Sequence, residues 1–294
     1  MTKVLELTPK DIDRLVRRHI DYATLRPAKY IAAIIKVPGA TLTVYESGKV
    51  LIQGADAKLV EDDIRRFLGL GTDEKPDYFS ESIGSDESGV GDYFGPLTAC
   101  AAYVRSRDGA FLKSLSLRDS KTLTDEQILR IAPRIAKRIP HSSLVLDNEK
   151  YNVLIESGFN AHKLKAYLHA QCHKRLLEKT GKRPPIVVDA FCAERHYRRY
   201  LEAFEDAPVP DVFVTKAESV YASVAAASII ARHRFLSRLA ALSEDIGETL
   251  HKGASEKVDA QAKRLFNRHG EKALMRFAKM HFKTTKKVRD PEQE

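Results

Sequence analysis

The chain has 294 residues, 43% of them hydrophobic and 30% charged. That length suits one large domain with a small companion, and the apolar content supports packed cores, which excludes a disordered chain. No apolar run approaches the ~20 residues of a membrane-spanning helix, and the opening MTKVLELTPKDIDR lacks the apolar stretch of a secretory leader. A cytoplasmic protein with no membrane association is therefore expected. Cys100, Cys172 and Cys192 are odd in number and widely spaced, which gives neither a disulfide framework nor a zinc signature. The formal charge of +9 is unevenly spread: residues 1–75 carry 13 Lys and Arg against 11 Asp and Glu, and residues 251–289 carry 12 against 3. Such a basic segment is the footprint of a polyanionic partner or else a solvated helix face.

In chain order, Thr8-Pro9 offers an N-cap and a first-turn proline ahead of Ile12, Leu15 and Val16 at helical spacing. Residues 41–53 alternate apolar and polar on both sides of Glu46-Ser47-Gly48, which predicts a β-hairpin. A second amphipathic helix covers Ala57–Leu68, and the polar stretch 71–76 is the expected linker. The division is thus a small α+β domain, 1–75, and a larger one, 76–294. The larger part alternates strands and helices. Strands are expected at Ser82–Ser85, Leu97–Val104, Ser143–Leu146, Ile186–Val188 and Val212–Val214. Helices are expected from Thr122 or Thr124 to about Arg138, over Lys163–Lys179, and from about Tyr221 to Leu242. This is an α/β pattern, a sheet covered by helices.

Ligands of α/β sheets gather at the carboxyl ends of strands. Asp86 and Glu87 end the first strand of the larger domain, Asp189 ends the IVV strand, and Glu218 ends the VFVTKAE strand, just before the long helix. Clustered carboxylates repel one another and call for a hard cation such as Mg²⁺ or Mn²⁺. Two such ions would clamp the attacking water and the leaving oxygen of a phosphodiester, leaving a 5′-phosphate and a 3′-hydroxyl. The plainer alternative is that each acid is a helix cap or a surface ion pair. Adjacent residues of a regular strand face opposite ways, so Asp86 and Glu87 serve one site only if the strand kinks or one of them acts through its backbone. Gly89-Val90-Gly91 with Gly95 is GxGxxxG rather than the dinucleotide fingerprint, and no P-loop occurs, so no organic cofactor is expected.

At these residues the sequence resembles the type 2 ribonucleases H, and within them the ribonuclease HIII branch. The resemblance rests on Gly84, Asp86-Glu87, Gly89-Val90-Gly91 and Asp92-Tyr93-Phe94-Gly95-Pro96-Leu97. It continues through Asp119-Ser120-Lys121-Thr122-Leu123, Val188-Asp189, Lys216-Ala217-Glu218-Ser219, the Ala225–Arg232 run and His281–Lys287, over residues 80–288 or so. Glu218, where the sister HII enzymes usually carry Asp, and Val90, where they usually carry a basic residue, point to the HIII branch.

The resemblance implies a ribonuclease H-like mixed sheet flanked by helices, preceded by a small α+β domain resembling the TATA-binding protein that grips the hybrid. It implies an endonuclease that hydrolyses the RNA strand of RNA/DNA hybrids as a monomer, with Asp86, Glu87, Asp189 and Glu218 as catalytic, metal-binding residues. Ser88, Gly89, Val90, Gly91, Lys121, Tyr45, Lys49 and Lys283 are the expected substrate contacts, with Lys286 and Lys287 as further phosphate contacts. His281 is read as a packed histidine rather than an aid to product release. Cleavage at single embedded ribonucleotides, as in the HII enzymes, is the alternative activity, and a non-catalytic nucleic-acid-binding protein is the alternative of another class.

Overall fold

The computed structural model describes residues 2–70, 77–115, 117 and 122–289. The linker expected at 71–76 and the Asp119-Ser120-Lys121 stretch lie outside them. The chain divides into two compact units, Met1–Lys75 and Pro76–Glu294.

The first unit runs β1 (Thr2–Glu6), α1 (Pro9–Arg18), β2 (Ala23–Ala28), β3 (Ile31–Val37), β4 (Ala40–Tyr45), β5 (Lys49–Gln53) and α2 (Ala57–Leu68). Thr8 caps α1 by accepting the Asp11 N–H at 3.2 Å. The β4–β5 hairpin pairs Thr41 with Gln53 and Val44 with Val50, and Gly48 supplies the positive φ of its turn. The sheet order is β1-β5-β4-β3-β2, antiparallel throughout. Leu42, Val44, Val50 and Ile52 pack with Leu15 of α1 and Ile64 of α2. Strand alternation turns Thr41, Thr43, Tyr45, Lys49, Leu51 and Gln53 to the opposite face, where they are half-buried or exposed. Strands β1, β2 and β3 carry no sequence signal: β1 is short, β2 is an exposed edge, and the IAAIIKV run of β3 does not alternate.

The second unit runs β6 (Ser82–Ser88), β7 (Leu97–Val104), α3 (Gly109–Ser114), α4 (Asp125–Arg138), β8 (His141–Leu146), α5 (Asn148–Glu156), α6 (Ala161–Thr180), β9 (Ile186–Asp189), α7 (Glu194–Leu201), β10 (Val212–Val214), α8 (Ala222–Ile246), α9 (Glu256–Leu274) and α10 (Lys283–Arg289). Its sheet, ordered β10-β9-β6-β7-β8, is mixed. β6 pairs antiparallel with β7 and parallel with β9. Helices α8 and α4 share one core with Cys100, Ala102 and Val104. Helix α6 covers the other face, over Ile83, Ala99 and Ala101. A Cβ at Gly84 would lie 2.3 Å from the Val224 amide nitrogen, so the glycine lets the α8 backbone rest directly on β6. The buried Ala225-Ala226-Ala227 run belongs to the same close packing.

The architecture is the mixed α/β class expected. Helices α3, α5, α7, α9 and α10 were not among the expected elements. No helix among the described residues is long and apolar enough to cross a membrane.

Candidate active site

Strand β6 does not kink at the Asp86-Glu87 pair. Its ladder with β7 continues through Asp86↔Cys100, Glu87↔Ala99 and Ser88↔Thr98. The pleat therefore sends the two side chains to opposite faces. Asp86 points to α8, where Ser228 hydrogen-bonds its carboxylate. Its Oδ1 also accepts the Glu87 N–H at 2.8 Å. Asp189 ends β9, next to β6. Its Oδ1 accepts the Ala217 N–H at 3.2 Å, which ties the end of β9 to the short 3-10 turn Ala217–Ser219. Lys216, just before that turn, holds a left-handed φ of +58°, rare for a residue with a Cβ. Glu218 lies buried on that turn, which packs against β9 and α8.

Asp86 and Asp189 thus lie near one another on neighbouring strands, and Glu218 lies on the turn tied to Asp189 through the Ala217 N–H. Burial first, then the Glu87 charge and more weakly that of Asp189, raise the Asp86 carboxyl well above the usual carboxylate range. Neither Asp86 nor Asp189 makes an ion pair among the described residues. Two neighbouring acids without an ion pair, Asp86 and Asp189, suit a hard divalent ion. The side chains stand apart: among the described residues no three His, Cys, Asp or Glu converge closely enough to enclose one ion.

Glu87 is held on the α6 side. Its Oε1 is 2.9 Å from Lys165 Nζ and its Oε2 is 2.8 Å from His169 Nε2. His169 Nδ1 in turn meets Ser85 Oγ at 2.8 Å, and the Lys165 ammonium lies 3.9 Å from the centre of the Phe191 ring. Although burial pushes it upward, these partners hold the Glu87 carboxyl well below its ordinary range, His169 more strongly than Lys165. Both side-chain oxygens of Glu87 are committed to protein donors. Neither Lys165 nor His169 was singled out from the sequence. The available signal was a polar stripe at helical spacing, Lys165-His169-His173, on the same face as Leu168, Cys172 and Leu176.

The remaining expected contacts fall in several places. Ser88 ends β6 directly after the acids, and Gly89, Val90 and Gly91 leave it. Gly89 has φ +92°, and a Cβ there would lie 2.2 Å from the Pro96 carbonyl. Gly91 has open space on its Cβ side, while Val90 packs against the α6 core. Tyr45 and Lys49 lie on the face of the first unit's sheet turned away from its helices. Lys283 opens α10 and is exposed, as is Lys286, whereas Lys287 pairs with Asp259 at 2.7 Å. His281 is exposed and lies 5.5 Å from the Tyr151 ring, centre to centre. Lys121 lies outside the described residues.

A model of the family described as Ribonuclease HII matches residues 83–285, and a domain of unknown function matches residues 2–62. The chain is 43% identical to ribonuclease HIII of Bacillus pumilus (strain SAFR-032), over 97% of this chain and 98% of that protein. The chain belongs to the ribonuclease HIII family. As a member of that family it is a ribonuclease H. The crystal structure of Bst-RNase HIII in complex with Mn²⁺ is similar over 100% of this chain and 99% of that one, with a TM-score of 0.70 at 36% identity. Aquifex aeolicus RNase H3 matches with a TM-score of 0.56 at 25% identity, over 95% of this chain and 99% of that one. Among ribonucleases HIII the similarity therefore spans both units, whereas the ribonuclease HII model falls within the second alone.

Proposed function

We propose that the chain is an endonuclease that hydrolyses the RNA strand of RNA/DNA hybrids, leaving a 5′-phosphate and a 3′-hydroxyl. It acts as a cytoplasmic monomer with divalent cations and no organic cofactor. The observation that carries this reading is the placement of Asp86 and Asp189 near one another on neighbouring strands, with the buried Glu218 on the turn tied to Asp189 and with Asp86 raised first by burial and then by the Glu87 and Asp189 charges. These three carboxylates would hold Mg²⁺ or Mn²⁺. Two such ions, when bound, supply an activated water and offset the charge that develops on the leaving oxygen. Glu87 has its carboxylate engaged by Lys165 and His169, which leaves its backbone carbonyl as the group to offer an ion.

The chain's own residues then position the hybrid. The Ser88–Gly91 backbone meets the RNA strand, where the 2′-hydroxyl separates RNA from DNA. The open space beside Gly91 favours a close approach of the sugar–phosphate chain. Lys121 and Lys283 contact phosphates, and those contacts weaken with salt. Tyr45 and Lys49 belong to a sheet face of the first unit, the hybrid-binding domain, on which a duplex backbone can lie.

A cleavage assay tests the reading with three substrates: a uniform hybrid, a DNA duplex holding one ribonucleotide, and a plain DNA duplex. Each is run with Mg²⁺, with Mn²⁺ and with chelator. Metal-dependent cutting of the uniform hybrid is expected to dominate. Preference for the single ribonucleotide would move the chain to HII-like specificity, and hybrid binding without metal-dependent cutting would make it a binding protein.

A further inference from the structure

The loop joining β6 to β7, residues 89–96, leaves the sheet immediately after Asp86 and Glu87. Much of what holds it comes from the far end of the chain. Lys279 Nζ donates to the Asp92 carbonyl at 2.8 Å and to the Gly95 carbonyl. The Lys279 backbone N–H donates to the Tyr93 carbonyl, and the Gly95 N–H donates to the Phe277 carbonyl, both at 2.9 Å. Asn148 Nδ2 adds a second donor to the Gly95 carbonyl, also at 2.9 Å. One lysine residue therefore holds three carbonyls of this loop, those of Asp92, Tyr93 and Gly95.

That lysine is fully buried, and among the described residues it has no carboxylate in an ion pair. An ammonium taken out of water without a counter-ion is costly, and an apolar residue of the same volume would fill the space at lower cost. The nearest soft partner is the face of Tyr151, 5.7 Å from Nζ to the ring centre. The ammonium does one thing a methylene chain cannot: it fixes two carbonyls of the loop at once. Gly91 adjoins Asp92, the first of those carbonyls, and its own Cβ side is open.

We propose that Lys279 is a positioning residue for substrate: by clamping the Asp92 and Gly95 carbonyls it fixes the pitch of the Gly89–Gly91 backbone against the ribose–phosphate strand of the hybrid. This rests on the reading of that loop as a hybrid contact. Lys279 touches no reacting atom, so its loss acts on the binding of hybrid and not on the chemistry at the acids.

The test is steady-state cleavage of a uniform hybrid by the full chain with Mn²⁺, for wild type, Lys279→Met and Lys279→Gln. Methionine removes every donor, and glutamine, one bond shorter, reaches one carbonyl at most. The expected result is a KM raised about tenfold for Met and about threefold for Gln, with kcat within about threefold of wild type. A role in folding alone would lower the folded fraction, and so the apparent kcat, while leaving KM in place. A folded Lys279→Met with KM within about twofold of wild type overturns the proposal. If circular dichroism shows Met unfolded, an unchanged KM for folded Gln does the same. No metal-dependent cutting by wild type would overturn the functional reading first, and this inference with it.

Discussion

Asp86 and Glu87 adjoin in the chain, yet their charges are handled in opposite ways. On the α6 side, Glu87 meets Lys165 and His169 at 2.9 and 2.8 Å, and the protein supplies its own counter-charge. On the α8 side, Asp86 stands near Asp189 with a serine and a backbone N–H as its partners, and neither acid has an ion pair among the described residues. A buried carboxylate closed off by protein donors is a structural device. Neighbouring carboxylates without a counter-charge repel one another, which costs stability until a cation is supplied, and the proposed function gives them one. One strand thus carries a finished ion pair on one face and an acid without a counter-charge on the other, the face the proposed function uses.

The largest expected effect breaks the open face. Asp189→Asn should lower kcat on a uniform hybrid on the order of 10³-fold or more, about 4 kcal/mol of transition-state stabilisation. In chelator the same variant should melt no lower than wild type, because a repelling charge has gone while the volume stays. A Tm several degrees below wild type would make the α8-side acids structural. Lys165→Met tests the closed face and should do the reverse. It leaves a buried carboxylate short of a partner, a loss of about 3–5 kcal/mol of unfolding free energy in urea titration. A loss under about 1 kcal/mol, the range of a surface pair, would mean that Glu87 is not closed off as described.

The sequence carried the open face more clearly than the closed one, for a physical reason. Asp189 directly follows the apolar run Ile186–Val188 and Glu218 comes soon after Val212–Val214, while Asp86 is marked by the acid pair and glycines around it, so these acids are legible from the local sequence. The partners of Glu87 lie on a helix some 80 residues away, and nothing local in Lys165 or His169 announces which strand they meet. The opposed directions of Asp86 and Glu87 follow from strand pleating alone, but the absence of a kink depends on the β7 ladder, which only the fold supplies. The same holds for Lys279, whose partners are carbonyls and leave no mark on side-chain identity. In the first unit the β4–β5 hairpin was legible because it alternates around a glycine turn, while β3 was not, because its apolar run hides which face is covered.

The contrast sharpens when metal is added back. A single site filled at about 100 times its dissociation constant stabilises the folded chain by ~2.7 kcal/mol. Titrating Mn²⁺ into the wild-type protein should raise its Tm accordingly. The rise should be lost in Asp189→Asn and kept in Lys165→Met, although the latter starts from a lower baseline. A rise that survives Asp189→Asn would place the ion elsewhere.

Lys279 is a third way of handling buried charge, and it gives the smallest effect. Burial lowers its ammonium from 10.5 to about 7, against a weak opposing pull from the Asp92 charge. In the unfolded chain the group titrates near its ordinary value, so between about pH 7 and 10 the unfolded state binds more protons than the folded one. By linkage, stability contributed by this position rises with pH across that window, by up to ~1.4 kcal/mol per pH unit. Below pH 7 both states are protonated and the full cost of the buried charge remains. Lys279→Met removes the charge at every pH. Its stability advantage over wild type should therefore be greatest near pH 6 and shrink by about 2 kcal/mol by pH 9, as read from paired urea titrations. A difference that stays constant between the two pH values would mean that the ammonium is not held in the dry environment the structure gives it.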